Sequence, residues 1–170
     1  MHKELALLFW KFQLLIVPLQ ANMEKVEKYK LLLEQIKSLM EGETDEVAKM
    51  ANVAAVIHSE MGFWWTGFYR VVGGELVLGP FQGPVACMHI PFGRGVCGTA
   101  WKQGETIVVP DVEQFPGHIA CSSESRSEIV VPVFSGSGEI TAVLDIDSRE
   151  LGTFDEVDKE WLEKIVKVIC

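Results

Sequence analysis

A chain of 170 residues is long enough to bury one hydrophobic core, and with 48% hydrophobic residues it is not intrinsically disordered. Its formal net charge of −9 argues against nucleic acid and anionic membrane surfaces as partners. Four cysteines are too few for a secreted scaffold held together by disulfides, so we expect a reducing, cytoplasmic compartment.

The first 22 residues are interpreted as an N-terminal extension of uncertain role, preceding one domain that covers residues 23–170. Leu5 to Val17 is strongly apolar, but it contains Lys11 and Gln13 and is shorter than the roughly 18 residues expected of a membrane helix. A signal peptide is the less favoured alternative, because the basic start is weak and no clear cleavage site follows.

Two helices are predicted next. Apolar residues recur at three-to-four-residue spacing from Met23 to Glu41, and Gly42 ends this pattern. Thr44 is the predicted N-cap of a second helix, from Asp45 to about Met61. Its core face is expected to consist of small residues and one isoleucine: Ala48, Ala51, Ala55 and Ile57.

The apolar period then changes to two, which is typical of strands. The predicted strands are Trp64–Val71, Glu75–Gln82, Ala86–Ile90, Thr106–Val109, Glu128–Phe134 and Ile140–Asp147. A short helix is expected over Val96–Lys102. The segment Val112–Ser127 is predicted to be a long loop, which is either functional or disordered. A last helix is expected to start with a capping box of Thr153 and Glu156. Because two strand pairs form hairpins, the predicted fold is α+β, a single domain with a central antiparallel sheet and helices packed against it.

Three cysteines and a glutamate stand out in a segment rich in glycine and turn residues: Cys87, Cys97, Cys121 and Glu128. Thiols on loops and element ends can be reached by solvent and by each other, so this pattern favours thiol redox chemistry. Such chemistry needs one activated thiol and a second thiol that condenses with its sulfenic acid to a disulfide. The alternative is three unrelated cysteines, and spacing alone does not decide between them.

The same segment contains residues typical of two other kinds of site. The three cysteines with His89 and His118 are possible zinc ligands, but no close C-x-x-C pair is present, which disfavours a zinc site. Gly93, Gly95 and Gly98 match a dinucleotide-binding fingerprint, but the helix that follows is too short, so these glycines are interpreted as a tight loop.

Side chains on two predicted strands are candidates for a binding pocket. Asp145 and Asp147 alternate along the last strand and therefore share one face of the sheet. They predict either a solvated face or a polar wall that receives a cation such as an ammonium group. The aromatic residues Trp64, Trp65 and Tyr69 are either core residues or an apolar box.

Several segments together resemble the GAF-domain family of free methionine-(R)-sulfoxide reductases, over everything except the N-terminal extension. The resemblance rests on Trp64–Tyr69, Gly79–Gly83, the spacing of Cys87 and Cys97, Pro116–Cys121, Ser125–Pro132 and Leu144–Ser148. It implies an enzyme that reduces free L-methionine (R)-S-oxide to L-methionine. The N-terminal extension and Cys170 depart from the family pattern.

The resemblance also implies a role for each cysteine. Cys121 would attack the sulfoxide sulfur and become a sulfenic acid, and Cys87 would resolve it to a disulfide. Cys97 would be a second thiol that relays the oxidation. Thioredoxin would return the enzyme to its dithiol form, and no bound cofactor or metal would be needed.

For the substrate, the resemblance implies a pocket in which Trp65 and Tyr69 box the methyl group. Glu128 would hydrogen-bond and protonate the sulfoxide oxygen, and Asp145 and Asp147 would hold the ammonium.

The first helix is expected to be able to pair across a homodimer. The alternatives are a non-catalytic GAF module that senses a small ligand, and a thiol redox switch that consumes no substrate.

Overall fold

The computed structural model describes residues 23–119 and 121–169, and the predictions about residues 1–22 and Cys170 concern positions outside this range. Its helices are α1, over residues 23–40, α2 (Glu46–Met61), α3 (Gly95–Gln103) and α4 (Glu156–Val166), with a 3₁₀ turn at Val112–Gln114. Its strands are β1 (Trp65–Val72), β2 (Glu75–Gln82), β3 (His89–Pro91), β4 (Ile107–Val109), β5 (Ser127–Phe134) and β6 (Ile140–Ser148).

The strands form one six-stranded sheet in the order β3-β2-β1-β6-β5-β4, and every neighbouring pair is antiparallel. The two predicted hairpins, β1–β2 and β5–β6, are joined at the centre by the pairing of β1 with β6. The α+β fold with a central antiparallel sheet is therefore confirmed. Among the described helices, none is long and apolar enough to cross a membrane.

The alternation of side chains along the central strands separates two buried clusters, one on each face of the sheet. Phe68, Leu144 and Ile146 face the cluster to which α1, α2 and α4 contribute. Tyr69 and Val143 belong to the other cluster, which α3 and the long loops cover. This second face contains the pocket described below.

Both predicted helix caps were wrong by one or two residues. Asp45, not Thr44, caps α2, and its carboxylate accepts a hydrogen bond from the backbone N–H of Ala48 at 2.8 Å. Asp155 caps α4 in a capping box with Asp158. Thr153 is unavailable for this role because its hydroxyl donates to Ser148 Oγ at 2.7 Å.

The core face of α2 also differs from the prediction. Its buried residues are Met50, Val53, Ala54 and Ile57, whereas Ala48, Ala51 and Ala55 are only half-buried. Larger side chains remove more apolar area from water, so the helix turns its methionine and valine toward the sheet.

A buried polar cluster attaches α1 to the start of α4. Asp158 is fully buried, and its carboxylate accepts hydrogen bonds from the Tyr29 hydroxyl at 2.7 Å, the Lys25 ammonium and the backbone N–H of Asp155 at 2.8 Å. Tyr29 also stacks on Trp161. A buried carboxylate with this many donors fixes the orientation of two elements, because each lost partner would leave a buried polar group unsatisfied.

Candidate active site

A pocket of about 540 Å³, counting its open mouth, lies between the sheet face and α3 with its neighbouring loops. The walls include Trp64, Trp65, Tyr69, Val85, Cys97, His118, Ile119, Cys121, Ser122, Ser125, Glu128, Asp145 and Asp147.

Strand register brings the polar wall together. Trp65 of β1 lies opposite Asp147 of β6, and Asp147 lies opposite Glu128 of β5. In the next row, Asp145 lies opposite Gly67. A Cβ atom at Gly67 would approach the Trp65 ring to 2.5 Å, so the glycine leaves the space that this ring occupies.

Cys87 and Cys121 are joined by a disulfide, with their Cα atoms 5.3 Å apart. Cys87 lies in the segment between β2 and β3, and Cys121 lies in the segment before β5. Cys121 lines the pocket, whereas Cys87 does not. The pair therefore combines one cysteine that lines the pocket with one that does not.

Cys97 is not the accessible loop thiol that its glycine-rich surroundings predicted. It lies in the first turn of α3, is 3% exposed, and directs its thiol toward Glu128 Oε1 at 3.8 Å. Burial raises the pKa of the Cys97 thiol well above its ordinary value, and the carboxyl groups of Asp145 and Glu128 raise it further. The thiol therefore stays protonated near neutral pH, which makes it a weak nucleophile.

The three carboxyl groups face the pocket, so the interpretation of a solvated face for Asp145 and Asp147 was wrong. Burial and the neighbouring aspartates raise the pKa of the Glu128 carboxyl well above its ordinary value. Burial and Asp147 do the same to the pKa of Asp145, and burial raises the pKa of Asp147 to about 6. Three carboxyl groups this close do not all ionise at once, so the site holds protons at neutral pH.

Aromatic rings form one wall of the pocket and also hold the segment that carries Cys87. The Trp65 and Tyr69 rings stack with centroids 6.1 Å apart. Trp65 Nε1 donates to the Pro84 carbonyl at 3.0 Å, and the Tyr69 hydroxyl donates to the Cys87 carbonyl at 3.0 Å. The third strand runs over His89–Pro91 and therefore begins three residues later than the predicted Ala86–Ile90, and Cys87 lies outside it.

The Tyr69→Phe substitution is expected to weaken the disulfide about fivefold, measured as its equilibrium constant with glutathione. The substitution removes a hydrogen bond present in the disulfide form, and such a bond contributes about 1 kcal/mol. Tyr29→Phe, which removes a hydroxyl bonded to Asp158 instead, should leave the equilibrium unchanged. An unchanged equilibrium in Tyr69→Phe would mean that the hydroxyl does not hold Cys87 in place.

The other two sites considered from the sequence are not formed. Cys87 and Cys121 are bonded to each other, and His89 is exposed and interacts with Glu75 at 3.0 Å, so the five proposed zinc ligands do not converge. Of the glycine motif, only Gly93 lies in the predicted tight loop, whereas Gly95 and Gly98 lie in α3. A Cβ atom at Gly98 would lie 2.5 Å from the Pro91 carbonyl oxygen.

Sequence analysis did not identify Ser125, which lines the pocket, or Arg149, which contacts the pocket residue Trp64. Ser125 hydrogen-bonds to Asp147 and opposes the rise of its pKa. Arg149 lies over the Trp64 ring, 5.1 Å from its centroid, and forms an ion pair with Glu124. Ser125 opens one of the segments that carried the family resemblance, whereas nothing in the local sequence marks Arg149.

The fold and the site define the class of protein. Residues 43–169 match the GAF domain family, so the chain contains a GAF domain. GAF domain-containing protein A of Dictyostelium discoideum is 54% identical over 85% of this chain and 92% of its own length.

Two further relatives indicate which group of GAF domain proteins the chain belongs to. The free methionine-R-sulfoxide reductase of Saccharomyces cerevisiae is 45% identical over 88% of this chain and 87% of its own. The crystal structure of the free methionine-R-sulfoxide reductase from Neisseria meningitidis in complex with its substrate is 54% identical, with a TM-score of 0.83 over 85% of this chain and 87% of that one. The chain belongs to the free methionine-R-sulfoxide reductase family of GAF domain proteins.

Proposed function

We propose that this protein is an oxidoreductase that reduces free L-methionine (R)-S-oxide to L-methionine. The observation that carries the proposal is one pocket in which Cys121 of a disulfide, an aromatic wall and three buried carboxyl groups meet. A non-catalytic sensor needs a pocket but has no need for a disulfide at its mouth. A redox switch needs the disulfide but has no need for the carboxyl groups.

In the proposed cycle, reduction of the disulfide first frees Cys121 as a thiolate. This thiolate attacks the sulfoxide sulfur, the oxygen is transferred, and methionine leaves while Cys121 becomes a sulfenic acid. The Cys87 thiol then condenses with the sulfenic acid, which forms the disulfide and releases water. The 5.3 Å between the two Cα atoms is compatible with this bond.

Attack on sulfur requires a proton on the sulfoxide oxygen, and Glu128 is the proposed donor. Its carboxyl group is 6% exposed, and burial raises its pKa well above the ordinary value, which favours the protonated form that a proton donor needs. Cys97 is the weaker candidate for the attacking thiol because it is buried beside this carboxyl group.

Asp145 and Asp147 are the proposed partners of the substrate ammonium. Asp145 is 6% exposed, and its Oδ1 has no hydrogen-bond partner within the described part of the chain. An ammonium group would satisfy that oxygen, and its attraction would keep the carboxylates ionised. A methionine within a peptide has no ammonium group, which accounts for a preference for the free amino acid. The aromatic wall of Trp65 and Tyr69 is proposed to receive the methyl group.

Electron supply and cellular context are also proposals. Cysteine supplies both electrons, so the reaction needs no bound cofactor, and thioredoxin is the proposed donor because a disulfide is its ordinary substrate. A relay of oxidation through Cys97 stays a prediction, and it requires that a buried thiol reach the Cys87–Cys121 pair. The proposed location is the cytoplasm. A homodimer through α1 stays a prediction, which the molecular mass of the protein in solution would test.

The experiment is NADPH consumption coupled to thioredoxin and its reductase, with the R and S epimers of free methionine sulfoxide offered separately. We expect turnover of the R epimer and none of the S epimer. The N-acetyl amide of the R epimer, which lacks the ammonium, should be a much poorer substrate. A folded, fully reduced protein that consumes neither epimer would contradict the enzyme and leave a sensor as the better account.

A further inference from the structure

Three potential ligand atoms converge at the floor of the pocket from three different elements. They belong to Cys97 at the start of α3, Glu128 on β5 and Asp145 on β6, and they all lie within 4.8 Å of one another. Each of the three residues is at least nine-tenths buried. A helix and two central strands hold them, so their spacing is fixed by the fold.

The spacing suits a tetrahedral metal ion. A zinc ion with a Zn–S distance of about 2.3 Å and Zn–O distances of about 2.0–2.2 Å would separate the sulfur from an oxygen ligand by about 3.5 Å. The Cys97 sulfur and Glu128 Oε1 are 3.8 Å apart. All three ligand atoms lie within 4.8 Å of one another, so side-chain adjustments that bring them to about 3.5 Å would complete the coordination, with a fourth position open to the pocket.

A second observation points to a cation at this place. Asp145 Oδ1 is buried, lines the pocket and has no hydrogen-bond partner among the described residues. A buried polar atom without a partner is costly, so the site favours a positively charged occupant. The sulfur ligand then selects among cations, because magnesium and calcium prefer oxygen alone whereas zinc accepts thiolate together with carboxylate.

We propose that Cys97, Glu128 and Asp145 form a binding site for a thiophilic divalent cation, represented by zinc, and that the bound ion excludes the substrate. Binding replaces the proton of the Cys97 thiol with the metal and involves no change in oxidation state. The inhibitory consequence rests on the function proposed above, but the binding itself does not. Zinc would then act on this enzyme as a reversible inhibitor at a site separate from the Cys87–Cys121 pair.

The binding test uses the full chain with its disulfide intact, so that Cys87 and Cys121 cannot contribute thiols. Of the four cysteines in the sequence, only Cys97 and Cys170 then remain. Zinc affinity would be measured by competition with a chromophoric chelator. We expect one equivalent to bind to the wild type and to Cys170→Ser, and binding roughly tenfold weaker or more in Cys97→Ser and in Asp145→Asn.

Cobalt supplies a spectroscopic readout of the same site. Its complex with the wild type should show thiolate-to-cobalt charge-transfer absorption, which should be absent in Cys97→Ser. Three results would each overturn the proposal. Cys97→Ser could bind zinc as tightly as the wild type, Cys170→Ser could lose zinc binding, or the wild type could bind magnesium as tightly as zinc. If Cys97→Ser does not fold, Asp145→Asn decides, because unweakened binding in that variant overturns the proposal as well.

A kinetic test addresses the inhibition. Zinc should raise the KM of the reduced wild type without lowering kcat, and a chelator should restore the original KM. Because reduction also frees the Cys87 and Cys121 thiols, an equal rise in KM in Cys97→Ser would assign the inhibition to that pair and overturn the proposal. If the protein bound the metal but showed no turnover, the proposed function would be contradicted and the proposed metal site would still be supported. If zinc neither affected turnover nor bound to the disulfide form, only the proposed metal site would be contradicted.

Discussion

Cys121→Ser is expected to lower turnover of free methionine (R)-sulfoxide by roughly 10⁴-fold or more, because it removes the proposed nucleophile. A serine hydroxyl is protonated near neutral pH and is a poor nucleophile toward sulfur. The side chain is also on the wall of the pocket, where no other described thiol except the buried Cys97 faces the substrate. The measurement is the thioredoxin-coupled assay, supported by quantification of methionine.

Cys87→Ser is the matched control for this substitution because it removes the other half of the same disulfide. It should still release one methionine per protein molecule and then stop, with a sulfenic acid on Cys121 that dimedone can trap. If Cys121→Ser released one methionine per protein molecule and Cys87→Ser released none, Cys87 would be the nucleophile and Cys121 the resolving cysteine. Continued turnover in Cys121→Ser would assign the attack to Cys87 or Cys97.

The alternation of residues along a strand allowed part of this site to be predicted. Asp145 and Asp147 are two residues apart on β6, so their common face followed from the period of two. The residues that lie opposite these aspartates on the neighbouring strands could not be predicted from this period. Trp65 and Glu128 reach Asp147 from β1 and β5, and the register of β1 against β6 depends on packing between segments far apart in the chain.

Cys97 shows where local sequence was misleading. Its glycine neighbours predict an accessible loop, but in the structure they allow close packing instead. Gly98 lies so near the Pro91 carbonyl that no side chain would fit, and Gly95 has a positive φ of 61° at the helix start. The glycines therefore bury the cysteine by bringing its backbone against neighbouring elements. Sequence composition cannot distinguish this use of glycine from a flexible turn.

The caps of α2 and α4 show a similar limit. A threonine stood near each predicted helix start, but an aspartate nearer to the helix accepts the backbone N–H groups. The choice depends on which side chains are already occupied, as Thr153 is by Ser148. Propensity identifies the end of a helix, whereas the tertiary contacts select the capping residue.

Glu128→Gln is expected to lower kcat by about 10²–10³-fold while KM changes little, because the amide keeps the shape of the side chain but cannot transfer a proton. Burial, Asp145 and Asp147 raise the pKa of the Glu128 carboxyl, so the acid form is the active one. In the wild type, the rate should therefore fall as pH rises through this raised pKa.

The pH profile makes this prediction specific to proton donation. The alkaline fall assigned to Glu128 should be absent in Glu128→Gln, whose residual rate no longer depends on the protonation of that group. Glu139→Gln removes an exposed carboxylate near the β5–β6 turn and should preserve both the rate and the profile. If Glu128→Gln retained kcat, the oxygen would receive its proton from another group, and Asp145, whose pKa is also raised by burial, would be the next candidate.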